Sequence, residues 1–192
     1  ARKPVARELV GEYLSSRPVA KRKQQIWMRI NPLDGGFSLS DLKSVIAGQP
    51  NGIMLPKAVS PADVRQLSHY LDAFETAHDL PQGEIKILPL TTETAEAPFH
   101  LAEYANTDLS RIVGLSWGAE DLSAALGAST NRDANGEFAF TYKVVRSQML
   151  MAAYAANVQA IETLYADFRD EEGLLASSRA ARAEGFVGRL AI

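Results

Sequence analysis

Short apolar runs that alternate with longer helical stretches constrain the fold of this chain more than any other feature. The runs predict strands over residues 26–31, 51–57, 85–90, 112–118, 158–165 and 186–192. They are almost continuously apolar, as expected for parallel strands that are covered on both faces. Strands that alternate with helices indicate an α/β fold, a parallel sheet with right-handed crossovers. A doubly wound sheet and a (β/α) barrel both fit this alternation, and the pattern does not choose between them.

The clearest helix signal begins at Ser60, which is followed by Pro61 and then by Asp63 in the first turn. A serine N-cap and a proline at the first helical position both favour a helix start. Apolar residues then recur at steps of three and four, at Val64, Leu67, Leu71 and Phe74. This spacing predicts one apolar stripe along a helix. Further helices are predicted over residues 40–48, 94–104, 119–127, 142–156 and 173–185.

The chain has no linker-like segment and no internal repeat, so a single domain over residues 1–192 is expected. A complete (β/α)8 TIM barrel typically needs about 250 residues. If the fold is a barrel, it is incomplete in this sequence, with about six strand–helix units present.

Composition limits the classes of function. The chain carries 20 Lys and Arg residues against 23 Asp and Glu residues, a net charge of −3. This balance argues against nucleic acid as a partner. The absence of cysteine excludes disulfides, thiolate metal sites and a cysteine nucleophile, and it suits a reducing cytoplasm. The apolar runs are shorter than the roughly 20 residues of a membrane span, and no signal-peptide core follows the first residues. We therefore expect a cytoplasmic protein without a membrane partner.

Common nucleotide and hydrolase motifs are absent from the sequence, including G-x-G-x-x-G, the Walker loop and G-x-S-x-G. The three histidines, His69, His78 and His100, fall within predicted helices rather than at strand ends. Sites of α/β proteins lie at the carboxyl ends of strands. We therefore expect structural or surface roles for the histidines, and we disfavour Ser–His–Asp catalysis and a histidine-rich zinc site.

Charged side chains at or just after the predicted strands are the better candidates for a site. They are Arg29, Lys57, Glu93, Glu120 and Asp121. In a parallel sheet these positions share one edge. Carboxylates without thiol or imidazole partners suit Mg²⁺, and an arginine can donate two parallel hydrogen bonds to a carboxylate substrate. The alternative is that each acid opens the next helix, where the helix dipole favours it, and that the arginine pairs with a nearby acid.

Six segments in order resemble the HpcH/HpaI aldolase/citrate lyase family, and most closely its citrate lyase beta-subunit-like branch. They are RIN, GIMLPK, LPLTTETAEA, GLSWGAEDLSAALG, VQAIETLYADFRDEEGL and GFVGRLAI, and they cover essentially the whole chain. The LPK tripeptide favours the acyl-CoA lyase branch over the smaller pyruvate-aldehyde aldolases. Thr91 and Thr92 depart from the family pattern, in which an apolar pair usually precedes the glutamate.

The resemblance implies a (β/α)8 barrel that binds Mg²⁺ and assembles as a homotrimer or larger homo-oligomer. By position in the motifs, it implies that Glu93 and Asp121 bind the metal. Arg29 is implied to hold the carboxylate and keto oxygens of the substrate. Lys57 is implied to line the site, and Gly118 falls where the backbone must pass close to the ligand.

The implied function is a Mg²⁺-dependent lyase that cleaves or forms a carbon–carbon bond between an acyl-CoA thioester and a 2-oxo acid. Two alternatives stay open: a pyruvate-type metal-dependent aldolase without CoA, and a catalytically impaired family member that acts as a subunit or ligand sensor. The family's first two strands, with V-P-G and D-x-E-D motifs, and its I-H-P segment with the closing C-terminal helices are not in this sequence. We therefore expect the chain to be the interior of a longer protein.

Overall fold

The computed structural model describes residues 2–191, and strands and helices alternate through most of this range. The strands are β1 (Trp27–Arg29), β2 (Gly52–Leu55), β3 (Lys86–Pro89), β4 (Gly114–Ser116), β5 (Gln159–Glu162) and β6 (Gly188–Arg189). The α-helices are α1 (Lys3–Ser15), α2 (Ser38–Val45), α3 (Pro61–Ala77), α4 (Ala119–Ala125), α5 (Phe140–Ala155) and α6 (Glu171–Glu184). All six predicted strands are confirmed, and each is shorter than its apolar run.

The strands are parallel, but they form two sheets where one was expected. β1, β2 and β3 pair in that order, and so do β4, β5 and β6. Two isolated parallel bridges, Ile87–Ile112 and Leu90–Ser116, place β3 beside β4. The strands therefore follow one another in chain order, and their carboxyl ends lie along one edge.

Pro89 gives a physical reason for the gap between the sheets. The backbone N–H of Ile87 donates to the carbonyl of Arg111, and that of Thr91 donates to the carbonyl of Ser116. Residue 89 lies midway between these two donors and faces the same neighbour, but proline has no N–H to donate. The hydrogen-bonded ladder between β3 and β4 is therefore interrupted, and only its two ends are paired.

The helix predicted at Ser60 is confirmed as α3. The Ser60 hydroxyl accepts from the backbone N–H of Ala62 at 3.2 Å, and the Asp63 carboxylate accepts from the backbone N–H of Ser60 at 3.1 Å. These reciprocal hydrogen bonds form a capping box that fixes the start of the helix. Leu67 and Leu71 on the predicted stripe are fully buried.

A buried ion cluster anchors α3 to the sheets. The Arg111 guanidinium donates to both carboxylate oxygens of Glu75, at 2.9 and 2.5 Å, and to the carbonyl of Ile85 at 2.9 Å. Burial alone would raise the pKa of Glu75, but these and other hydrogen bonds outweigh it and hold the pKa below its ordinary value. The cluster lies outside the carboxyl edge of the strands, so we assign it a structural role.

Three parts of the fold differ from what the sequence predicts. The sequence predicts a helix over residues 94–104, and the structure has a 3₁₀ helix over Ala97–Asn106. Pro98 at its start has no N–H to donate to the preceding turn. Helix α1 was not predicted, and Leu14 is its only buried residue. The sixth strand, predicted over 186–192, makes only two pairs because its neighbour β5 ends at Glu162. Residues 1 and 192 of the predicted domain and strand lie outside the described residues.

His69 and His100 lie within helices as predicted, whereas His78 follows the end of α3. His69 in α3 and His78 just after it are exposed. His100, in the 3₁₀ helix, contacts Glu103 at 2.6 Å, and this hydrogen bond raises the pKa of His100 above its ordinary value. Across residues 2–191, no helix is long and apolar enough to cross a membrane.

Candidate functional site

The carboxyl edge of the strands brings three predicted site residues into contact through Lys57. The backbone N–H of Lys57 donates to Oε2 of Glu93 at 2.7 Å, and Nζ of Lys57 lies 2.9 Å from Oδ1 of Asp121. Glu93 follows β3 and Asp121 lies in the first turn of α4, after β4. The two carboxylates predicted to share a metal therefore both contact one residue between them.

The backbone at Lys57 is unusual. Its φ angle is +54°, in the left-handed region that residues other than glycine rarely adopt. In this conformation the N–H points at Glu93 while the side chain extends to Asp121. The pKa of Lys57 is raised, chiefly by its hydrogen bond to Asp121 and also by the charges of Asp121 and Glu93, although burial acts in the opposite direction. The family resemblance implies only that Lys57 lines the site, and the structure adds that Lys57 contacts both carboxylates.

Glu93 is buried, with 7% of its surface exposed. Burial raises its pKa above the ordinary value, and the nearby charge of Asp121 raises it further. The hydrogen bond from the Lys57 backbone and the charges of Lys57 and Arg29 lower it, but by less in total. A positive charge near the Glu93 carboxylate would offset this desolvation. Lys57 and Arg29 already supply positive charge, and it only partly offsets the effect of burial.

Gly118 makes room for the Glu93 side chain. A Cβ atom at position 118 would lie 2.8 Å from Cγ and 3.0 Å from Oε1 of Glu93. Its backbone N–H donates to the hydroxyl of Thr92 at 3.1 Å, and the hydroxyl of Thr91 donates to the carbonyl of Ser116 at 3.1 Å. The family resemblance implies that Gly118 lies close to a ligand, and in the structure the side chain beside it is that of Glu93. The two threonines, which depart from the family pattern, are both buried and join β3 to the segment around β4.

Arg29 ends β1 at the same edge, and its side chain is exposed. Within residues 2–191 its guanidinium has no hydrogen bond or ion pair, so the alternative of pairing with a nearby acid is not supported. Its charge nevertheless acts on Glu93. Glu120 points elsewhere, since its Oε1 accepts from the side-chain amide of Asn131 at 2.9 Å. Glu120 therefore does not share the contact that Asp121 makes with Lys57.

Sequence reasoning missed a buried network behind the β4–α4 turn. The indole Nε1 of Trp117 donates to Oε1 of Glu162 at 2.5 Å, and Arg146 donates to Oε2 of the same carboxylate at 2.7 Å. Trp117 directly precedes Gly118, so this network fixes the turn that carries Asp121. The available signal was an acid at the end of β5 and a tryptophan directly before Gly118.

The donor set fits a hard divalent cation. Glu93 and Asp121 supply carboxylate oxygens. The described residues contain no group of three or more His, Cys, Asp or Glu side chains that could hold a metal, so these two carboxylates would be the protein ligands. Two protein carboxylates with the remaining positions taken by water and substrate are typical of Mg²⁺. A separate cavity of about 870 Å³ lies between α5 and α6. Its lining includes Arg146 and Glu162 but none of the residues at the carboxyl edge that the sequence singled out.

Comparisons with known proteins identify the family to which the chain is similar. The family model described as HpcH/HpaI aldolase/citrate lyase matches residues 1–192. The chain is 32% identical over 190 residues to a citrate lyase subunit beta of Haemophilus influenzae, covering 97% of this chain and 61% of that protein. It is 33% identical over 174 residues to a mitochondrial citramalyl-CoA lyase of Mus musculus, covering 86% of this chain and 49% of that protein.

Solved structures of citrate lyase beta subunits also match this chain. The citrate lyase beta subunit of M. tuberculosis complexed with oxaloacetate and magnesium matches with a TM-score of 0.78 and 33% identity, over 100% of this chain and 75% of that chain. A CitE structure from the same organism with magnesium, acetoacetate and coenzyme A matches with a TM-score of 0.77 and 32% identity, over 100% of this chain and 62% of that chain. The chain thus spans about half to three-fifths of the length of the curated relatives named above. The chain belongs to the HpcH/HpaI aldolase/citrate lyase family.

Proposed function

We propose that this chain carries part of the active site of a Mg²⁺-dependent carbon–carbon lyase that acts on an acyl-CoA thioester and a 2-oxo acid. The observation that carries the proposal is the convergence of Glu93 and Asp121 on Lys57 at the carboxyl edge, with the exposed Arg29 at the same edge. The relatives named citrate lyase subunit beta and citramalyl-CoA lyase support this class of reaction. The neighbours with magnesium, oxaloacetate and coenzyme A support these ligands.

Each residue has a distinct part in the proposed chemistry. Glu93 and Asp121 hold Mg²⁺, and the bound ion supplies Lewis-acid stabilisation of negative charge on the oxygens of a 2-oxo acid. Arg29 binds the substrate carboxylate through two parallel hydrogen bonds and so orients it for the reaction. The lack of a side chain at Gly118 keeps Glu93 in position.

We also propose that residues 1–192 form one domain and that the six described strands are part of a (β/α)8 TIM barrel. The continuous parallel order from β1 to β6, bridged at β3 and β4, supports this architecture. The homotrimer or larger homo-oligomer implied by the family resemblance and a cytoplasmic location remain part of the proposal. The absence of cysteine supports a reducing compartment.

The test uses the full-length protein and compares Glu93→Gln and Asp121→Asn with Glu120→Gln as the matched control. We expect each of the first two variants to lower Mg²⁺-dependent cleavage of an acyl-CoA substrate by about 100-fold or more, the usual effect of removing one electrostatic stabiliser. Glu120→Gln should stay within about twofold, because its carboxylate bonds to Asn131 and the amide can replace that bond. Equal losses in all three variants would contradict the proposal.

The choice of substrate separates the alternatives. Cleavage of a CoA thioester supports the lyase, whereas cleavage of a free hydroxy-oxo acid to pyruvate, with no CoA requirement, would favour an aldolase. Binding of Mg²⁺ and a 2-oxo acid without turnover of either substrate would favour a subunit or sensor.

Arg29→Lys tests substrate binding with the reaction run in the direction of bond formation, in which the 2-oxo acid is a substrate. A lysine keeps the charge but cannot form two parallel hydrogen bonds with a carboxylate. We expect KM for the 2-oxo acid to rise by about tenfold or more, the range for one lost charge-assisted hydrogen bond. Mg²⁺ affinity measured without substrate should stay close to that of the unmodified protein. An unchanged KM would remove Arg29 from the site.

A further inference from the structure

We infer that the ammonium group of Lys57 is the resident counter-cation of this site in the metal-free protein, and that a divalent cation binds by displacing it from Asp121. The inference rests on the proposed function, because it concerns the same two carboxylates. It goes further by giving Lys57 a positioning role and by adding an exchange of cations to metal binding.

The first support is that one residue holds both carboxylates through two different atoms. The Lys57 backbone N–H bonds to Glu93 at 2.7 Å, and its ammonium group pairs with Asp121 at 2.9 Å. Carboxylates that face a common site repel each other, and an intervening positive charge removes that repulsion. Lys57 therefore keeps the two acids assembled before any metal arrives.

The second support is that the two contacts can separate. The contact with Glu93 uses the backbone, which the left-handed conformation of Lys57 fixes. The contact with Asp121 uses a flexible side chain that is 45% exposed, and the Asp121 side chain is 46% exposed. The ammonium group can move into solvent without disturbing the bond to Glu93. Metal binding can therefore remove one contact and keep the other.

The third support is that two cations do not fit on the same oxygen. Mg²⁺ lies about 2.0–2.1 Å from its ligand oxygens. The ammonium nitrogen is 2.9 Å from Oδ1 of Asp121. Both cations on that oxygen would lie within about 5 Å of each other, a separation at which like charges repel strongly in a partly desolvated site. Displacement of the ammonium group relieves this repulsion.

The first measurement is Mg²⁺ affinity by isothermal titration calorimetry on the full-length protein without substrate. Lys57→Gln removes the competing charge and keeps most of the side-chain length and the backbone N–H. Because exposed ion pairs are weak, we expect binding to tighten by about two- to fivefold. Lys57→Arg keeps the charge and should bind Mg²⁺ no more tightly than the unmodified protein. Lys143→Gln is the matched control, because Lys143 is also half-exposed and faces a carboxylate, that of Glu137 at 3.9 Å.

The second measurement reports on the side chain itself. Acylation of lysine amines, located by mass spectrometry, should increase at Lys57 when Mg²⁺ saturates the protein and stay constant at Lys143. In Asp121→Asn the ammonium group has lost its partner, so Lys57 should react readily with or without Mg²⁺. A purely structural role for Lys57 would not produce a metal-dependent change in its reactivity.

The outcomes separate this inference from the proposed function. If the unmodified protein binds Mg²⁺ but Lys57→Gln binds it equally or more weakly, the displacement is wrong and the metal site stands. Unchanged acylation of Lys57 on saturation with Mg²⁺ would overturn it in the same way. If the unmodified protein does not bind Mg²⁺, the proposed function and this inference both fail.

Discussion

Gly118→Ala tests the packing on which the position of Glu93 depends. The backbone at Gly118 has φ −129° and ψ 107°, which alanine adopts without strain, so the added methyl group acts only through contacts. That methyl would lie 2.8 Å from Cγ of Glu93. The Glu93 side chain must then move by about 0.7 Å or more to reach an ordinary carbon–carbon contact. Because its carboxylate also bonds to the Lys57 backbone, this movement disturbs the group proposed to hold the metal.

We expect Mg²⁺ affinity, measured by calorimetry, to fall by about 10- to 100-fold, the range for loss of a group that positions a metal ligand. Overpacking should lower the free energy of unfolding by about 1–3 kcal/mol. Reduced freedom of the unfolded chain returns about 0.4–1 kcal/mol of this. Gly35→Ala is the matched control, because the nearest atom to its added Cβ, in Phe37, is 3.9 Å away. If Gly118→Ala binds Mg²⁺ as tightly as Gly35→Ala, the argument from crowding is wrong.

Two further predictions concern the buried networks. The pKa of Glu75 is lowered in the folded protein, so its ionisation stabilises the fold above the ordinary pKa near 4.5, and this contribution is lost as pH falls through the lowered value. Denaturant unfolding should therefore show that Glu75→Gln costs about 3–5 kcal/mol at pH 7, because Arg111 loses its buried partner and keeps only the half-exposed Asp72. The cost should be less below pH 4, and an equal loss at both pH values would refute this. Glu162→Ala should also cost about 3–5 kcal/mol, because it removes the buried partner of Arg146. Glu184→Ala removes a half-exposed partner of the same arginine and should cost about 1 kcal/mol or less; similar losses in the two variants would contradict the assignment of Glu162 as the principal partner.

Local signals account for the parts of the fold that the sequence predicts well. The helix at Ser60 has a cap, a proline and an apolar stripe within a few residues of each other, and the structure has the same helix. Helix α1 lacks such a stripe: Val5 and Leu9 are exposed, and only Leu14 is buried. Its position depends on contacts with α2 rather than on its own pattern, so periodicity did not reveal it.

The site shows the same division between local and long-range information. The positions of Glu93 and Asp121 after their strands follow from the order of strands and from the family resemblance. The contact of Glu93 with Lys57 joins residues 36 positions apart and depends on a left-handed backbone at a lysine, which no composition rule predicts. The effect of Pro89 could have been anticipated only with the neighbour of β3 known, because a missing N–H matters only where an acceptor faces it.

The interruption at Pro89 has a consequence for how accurately the site is assembled. Glu93 follows one sheet and Asp121 the other, so the spacing of their carboxylates depends on the alignment of β3 with β4. A shift of β3 by one residue along β4 would move one carboxylate relative to the other by about 3.3 Å. This is more than the 2.9 Å between Lys57 and Asp121. The spacing of the two carboxylates therefore depends on the few hydrogen bonds that join β3 to β4 on either side of Pro89. A residue with an N–H at position 89 could add a hydrogen bond between β3 and β4 without contacting either acid.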